Sequence, residues 1–181
     1  RVGDQRAEIV ALGGGSGWVF YDMGRVDEAI ADTEASLALA KDMGAGRFES
    51  MMLVFLAKLQ ALEGRGEEAL RCAERAVRIA RDTSITFSGA MALSALALVT
   101  DDADRRREAL VEGEHILRQR CVSHNYFYFY RDAIEVSLES RDWDEAERYA
   151  TALETYTAEE PLPWTDLFIA RGRALAAHGR G

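Results

Sequence analysis

The block Gly24-Arg25-Val26-Asp27-Glu28-Ala29-Ile30 returns forty residues later as Gly64-Arg65-Gly66-Glu67-Glu68-Ala69-Leu70. The echo continues downstream, where Glu34, Ala40 and Asp42 recur as Glu74, Ala80 and Asp82. Fainter copies follow at Arg107-Glu108-Ala109-Leu110 and Asp144-Glu145-Ala146. A fixed period of this size marks stacked supersecondary units, each too small to bury its own apolar face without a neighbour. Such an array needs no single globular centre, and it biases function toward recognition.

Each period alternates a strongly apolar helix with an amphipathic one. Met51, Met52, Leu53, Val54, Phe55, Leu56, Leu59 and Leu62 are apolar nearly all round, as expected of a helix sandwiched by others. Gly64-Arg65-Gly66 stops that helix, and Glu67 and Glu68 open the next, where acids complement the positive end of the helix dipole. The second helix sets Ala69, Ala73, Ala76, Val77 and Ala80 on one face and Arg71, Arg75, Arg78 and Arg81 on the other. Abundant Ala, Leu, Glu and Arg with only two prolines support helix throughout.

The pattern predicts an all-α chain of about nine helices, near residues 4–21, 25–42, 47–63, 66–82, 85–100, 104–119, 123–139, 143–157 and 163–178. They group into one domain over 1–181, with units at roughly 4–42, 47–82, 85–119 and 123–157 and a final inner helix at 163–178. The first helix contains Gly13-Gly14-Gly15-Ser16-Gly17, so it is either tightly packed there or locally broken. Ala177-His178-Gly179-Arg180-Gly181 echoes Leu62-Glu63-Gly64-Arg65-Gly66, and the chain starts at Arg1; the expectation is a piece of a longer array.

Net charge is −9 and the pI about 4.9, which argues against nucleic-acid binding, since a phosphate backbone demands clustered Lys and Arg in excess. The eighteen uncharged residues of 83–100 have the length of a membrane span, but their Ser, Thr and Ala and their place in the repeat predict a buried inner helix instead. Cys72 and Cys121 lack CxxC spacing and read as reduced thiols, hence a cytoplasmic location.

Gly24, Ala29 and Ser36, repeated as Gly64, Ala69 and Ala76, resemble the glycine, alanine and second small residue of tetratricopeptide (TPR) repeats. Ala109 with Ile116 and Ala146 with Leu153 keep the alanine but enlarge the second position. The period exceeds the family's thirty-four residues, and no proline closes the first three units. The run from Cys121 through Asp132-Ala133-Ile134-Glu135 and Asp142-Trp143-Asp144-Glu145-Ala146 to Pro161-Leu162-Pro163-Trp164 resembles the C-terminal repeat region of bacterial class III adenylate/guanylate cyclase-type regulators. The resemblance implies a right-handed superhelical solenoid of antiparallel hairpins, with any cyclase or ATPase chemistry carried by other domains.

Chemistry-bearing constellations are few. Gly13-Gly14-Gly15-Ser16-Gly17 lacks the Lys-Ser/Thr and the preceding strand of a phosphate loop. His115, His124 and His178 show no metal-ligand spacing, so neither metal nor cofactor is expected. No nucleophile–base or paired-carboxylate arrangement follows from spacing, and no catalytic residue is assigned.

The unusual run is Ser123-His124-Asn125-Tyr126-Phe127-Tyr128-Phe129-Tyr130-Arg131. Helical geometry puts Phe127, Tyr130, Ile134 and Leu138 on one face, expected to be core, and Tyr128, Arg131 and Glu135 on another. By the TPR resemblance the second face looks into the concave groove, giving Lys58, His124, Asn125, Tyr128, Arg131 and Glu135 as candidate binding residues. Tyr and Arg dominate binding hot spots, whereas aromatic runs on inner helices also pack between repeats. Trp143 and Trp164 are expected to anchor packing. The leading expectation is a non-catalytic interaction or regulatory module that binds a protein or peptide, a sister domain or another copy of itself. The alternatives are a small-molecule sensor, favoured by a closed aromatic-lined cavity, and a structural or oligomerisation element.

Overall fold

The computed structural model describes the backbone of residues 2–181 and the side chains of residues 5–21 and 23–181. Every regular element among them is helical: α1 (Val2–Ile9), a π-helical stretch (Val10–Ser16), α2 (Gly17–Asp22), α3 (Val26–Asp42), α4 (Gly46–Leu62), α5 (Gly66–Thr83), α6 (Ile85–Val99), α7 (Ala103–Leu117), α8 (His124–Glu139), α9 (Trp143–Thr157) and α10 (Pro163–Arg180). α1, the π stretch and α2 follow one another without a gap, so the nine expected helices are all present, with ends displaced by at most two residues.

The repeated glycine is explained by how the helices stop. At the end of α2 the Gly24 N–H donates to the Tyr21 carbonyl and the Arg25 N–H to the Phe20 carbonyl. The same pair of bonds closes α3 through Gly44 and Ala45, α4 through Gly64 and Arg65, and α8 through Arg141 and Asp142. These are Schellman closures, which set the residue past the last turn in the left-handed region. Its φ is +72° at Gly24, +61° at Gly44, +73° at Gly64 and +58° at Arg141. The residue after it is already the N-cap of the next helix, so the chain reverses with almost no loop.

Arg141 thus carries a Cβ where three sister turns have none, a strain of about 1–2 kcal/mol. Arg141→Gly is expected to raise unfolding free energy by about 0.5–1 kcal/mol, the relieved strain less the freedom that glycine adds to the unfolded chain. Urea denaturation tests this, and an unchanged midpoint would mean that the arginine side chain supplies a compensating interaction.

The helices form two rows. α4, α6, α8 and α10 each pack on the next member of that row, and no comparable packing joins α3, α5, α7 and α9 to one another. The inner helices are buried nearly all round: Met52 to Gln60 of α4 and Ser88 to Ala97 of α6 are continuous buried runs. The uncharged 83–100 stretch is therefore an interior helix, and no helix among the described residues is long and apolar enough to cross a membrane. Ala69, Ala73 and Ala76 of α5 are fully buried, so small side chains let the outer helices sit close on the inner ones.

Long side chains bridge the outer row instead. Arg81 pairs with Glu112 at 2.7 Å, Arg105 with Glu74 at 2.6 Å and Arg148 with Glu114 at 2.7 Å. Within the expected arginine row, Arg75 reaches Glu49 and Arg71 lies near Glu67 and Glu68. These pairs are solvent-facing and contribute roughly 0–1 kcal/mol each, so they span the outer gaps without holding the array together.

The glycine run is both distorted and tightly packed. A Cβ on Gly13 would stand 1.9 Å from Met52 Sδ and 2.7 Å from Ser36 Oγ, and one on Gly17 would stand 2.9 Å from the Leu12 carbonyl. At the entry to the π turn the Ile9 carbonyl also accepts a buried 2.8 Å bond from Ser36 Oγ. No strand precedes this segment, and Gly13 is buried against α3 and α4 rather than open to a phosphate.

The face expected to bury α8 holds in part: Ile134 is core, and Phe127, Tyr130 and Leu138 pack against that core. Phe127, Tyr130 and Leu138 are only partly buried, while Phe129, Ala133 and Ile134 are completely so. α8 lies between α6, α9 and α10, so most of its circumference is interior and one stripe cannot describe its core.

Candidate binding site

Three inner helices and α2 converge on one point. Lys58 in α4 sits among Leu56, Ala57 and Leu59, all buried, so its ammonium has to meet a buried acceptor. That acceptor is Asp132 of α8, whose Oδ2 lies 2.5 Å from Lys58 Nζ and also accepts a 2.7 Å bond from Ser94 Oγ of α6. Lys58 is 4% exposed and Asp132 is 0% exposed.

Arg131 is next in the chain, and it points to the other side of this carboxylate. Its Nε is 3.7 Å from Asp132 Oδ1, while its Nη2 donates a 2.8 Å bond to the Tyr21 hydroxyl of α2. The guanidinium lies 5.4 Å from the Trp18 ring centroid, 5.5 Å from that of Tyr21 and 5.2 Å from that of Phe168, within cation–π range. Trp18 in turn packs on Tyr21, Phe55 and Tyr128, and Tyr128 meets Trp164 edge-on at 6.1 Å. Aromatic side chains therefore occupy the centre of the inner face, and α2 is drawn across it to α8.

Beside this plug lies a half-open cleft of about 530 Å³, walled by Tyr21, Lys58, Leu98, Arg131, Glu135 and Phe168 among others. Glu135 forms an ion pair with Arg171 on the rim. A smaller hollow of about 310 Å³ lies between Trp18, His124, Tyr128 and Trp164.

The six sequence candidates thus divide. Lys58, Arg131 and Glu135 meet at the larger cleft, and Tyr128 stacks in the plug beside it. Asn125 is fully buried, donating from Nδ2 to the Phe87 carbonyl at 2.7 Å and accepting from the Met91 N–H at 3.3 Å. It ties the first turns of α6 to the start of α8, so its placement on an open groove is corrected. His124 borders the smaller hollow and lies 2.5 Å from the same Phe87 carbonyl, and burial lowers its pKa. Arg131, expected to face the concave groove, walls the larger cleft but is only 6% exposed.

Sequence reading missed Asp132, Ser94, Tyr21 and Trp18. Asp132 left one usable signal: a lysine inside an unbroken apolar run implies a buried carboxylate elsewhere, and Asp132 is the first of three acids in the most aromatic helix and the nearest to its aromatic run.

Burial pushes the Lys58 ammonium down to about 8; the Asp132 carboxylate opposes that shift and the Arg131 charge adds to it. The ordinary lysine value is 10.5. Between those two values the unfolded chain keeps a proton that the folded chain has released, so stability is expected to rise with pH there. Tyr149, raised by burial to about 12, and the Cys72 and Cys121 thiols, also raised by burial, oppose the trend where their unfolded counterparts ionise, so the Lys58 contribution is the difference between wild type and Lys58→Met over about pH 8–9.5. Thermal melts of both proteins across that window check the sign: the stability of the wild type relative to Lys58→Met should rise with pH. A relative stability that stays flat or falls would show that Lys58 keeps its proton.

A scan of protein-family models and a search of curated proteins each return no match.

Proposed function

We propose that this chain is a non-catalytic, TPR-like regulatory module, a right-handed superhelical array that works in the cytoplasm as the repeat region of a cyclase-type bacterial regulator. It binds through its inner face. The observation that supports this reading best is the convergence of Tyr21, Lys58, Arg131 and Glu135 on one cleft, with polar groups held rigidly by buried bonds. Preordered groups limit the entropy lost on binding.

Of the possible occupants, a small-molecule effector suits the cleft better than an extended peptide. Trp18, Tyr128 and Trp164 fill the centre of the inner face, which a peptide would have to traverse. A few polar groups in a half-enclosed apolar hollow are the usual design of a small-ligand site. The test is a thermal-shift screen of the whole chain with a broad metabolite set, repeated on Leu98→Trp to block the cleft. Ligands that stabilise the wild type but not the blocked variant are the expected result; ligands acting equally on both would move the site elsewhere.

Protein association is the second reading. Leu167 and Leu175 on α10 are 61% and 40% exposed, and a second copy of the chain could cover them. Sedimentation of wild type and Leu167→Glu tests this, and a monomer at every concentration counts against it. The net charge of −9 keeps nucleic acid outside the proposed partners, and membrane insertion is no part of the reading.

A further inference from the structure

Two buried cations share one buried carboxylate. Lys58 and Arg131 both wall the cleft, and both depend on Asp132 for a full counter-charge. Glu135, the nearest rim acid, is engaged by Arg171, and Glu139 at the cleft edge is exposed. The buried trio Lys58, Arg131 and Asp132 therefore holds close to one positive charge in excess, away from water, where an uncompensated charge is strongly disfavoured.

The Arg131 guanidinium is also short of acceptors. Nη2 has the Tyr21 hydroxyl, but Nε and Nη1 are shielded from solvent and have no hydrogen-bond partner. The 3.7 Å approach of Nε to Asp132 Oδ1 is attractive but too long for a hydrogen bond, and that oxygen has no donor either. The parallel N–H pairs of a guanidinium are Nε with Nη2 and Nη1 with Nη2, so once Nη2 leaves Tyr21 either edge matches a carboxylate, which can accept two such bonds.

We propose that the cleft binds a small organic monocarboxylate, on the effector reading given above. Its carboxylate takes the unused donors of Arg131 and displaces the Tyr21 hydroxyl, and its apolar body lies against Leu98 and Phe168. A monoanion fits better than a phosphate because the excess is a single charge, and because Glu135 and Glu139 on the same wall oppose a dianion. Since Tyr21 belongs to α2, occupancy also loosens α2 from α8, which gives the ligand a structural readout.

The experiment titrates the whole chain with phenylacetate and indole-3-acetate, their neutral amides and inorganic phosphate, following tryptophan fluorescence and the melting temperature. The acids are expected to act saturably, the amides about tenfold more weakly and phosphate not at all. Tyr21→Phe keeps the ring but removes the competing hydroxyl, so it should bind the acids several-fold more tightly. Arg131→Gln should abolish binding; if that variant does not fold, Tyr21→Phe decides alone. Amides binding as well as acids, phosphate reproducing the shift, or unchanged acid affinity in Tyr21→Phe would each overturn the proposal. Amides binding as well as acids would leave the effector reading standing, whereas a metabolite screen with no hits would remove both.

Discussion

Asp132→Asn is expected to lower the unfolding free energy by about 3–5 kcal/mol, the usual loss when one member of a buried ion pair is removed. The variant leaves Lys58 and Arg131, 4% and 6% exposed, without their carboxylate. Ser94 Oγ would keep a neutral acceptor, so the loss comes from the charge and not from an empty hydrogen bond. Urea denaturation measures it. A double variant, Lys58→Met with Asp132→Leu, should recover a large part of the loss, because apolar replacements of a buried pair are often neutral or better. A loss below about 1 kcal/mol in Asp132→Asn would place the site in contact with water, as exposed pairs are.

Phe129→Ala should cost about 3–5 kcal/mol for the lost transfer energy and the cavity left behind. Phe129 is the largest completely buried side chain among the described residues, and its ring occupies the space over Gly113 of α7. A Cβ on Gly113 would stand 2.4 Å from the Phe129 ring, so the two positions share one volume. Gly113→Ala alone should therefore be destabilising despite alanine's better helix propensity. Paired with Phe129→Leu it should cost less than the sum of the two single changes, which a double-mutant cycle reads directly. Strict additivity would show that the α7–α8 contact relaxes around either change.

The order of helices was legible because the features that specify it are local. Gly24 and Gly64 mark their turns by requiring a positive φ, and the apolar run around Leu53 announces an inner helix. The fourth such turn was expected between the helices at 123–139 and 143–157, but Arg141 hid its left-handed closure, since a strained arginine does the work of a glycine there. The π turn at Val10–Ser16 was half legible: the glycines signalled something unusual, but its form depends on Met52 and Ser36 in other helices. The candidate site was less legible for the same reason. Lys58 and Arg131 were found as members of inner helices, whereas Tyr21 reaches Arg131 across 110 residues of sequence through the geometry of the whole stack. Asn125 is buried away from any groove because the first turn of α8 is bonded to α6, whereas His124 makes a bond there and still borders the smaller hollow.

Contacts of that span also change how such a chain should come apart. A repeat array is ordinarily a one-dimensional system, in which each unit touches only its neighbours and the ends unravel first. Here the Lys58–Asp132 pair ties positions 74 residues apart, and the Tyr21–Arg131 bond ties positions 110 apart. Both links skip over intervening hairpins, so melting one end means losing a bond to the other. The array is thereby closed into a single cooperative unit, and whatever occupies its inner face would be felt at both ends together.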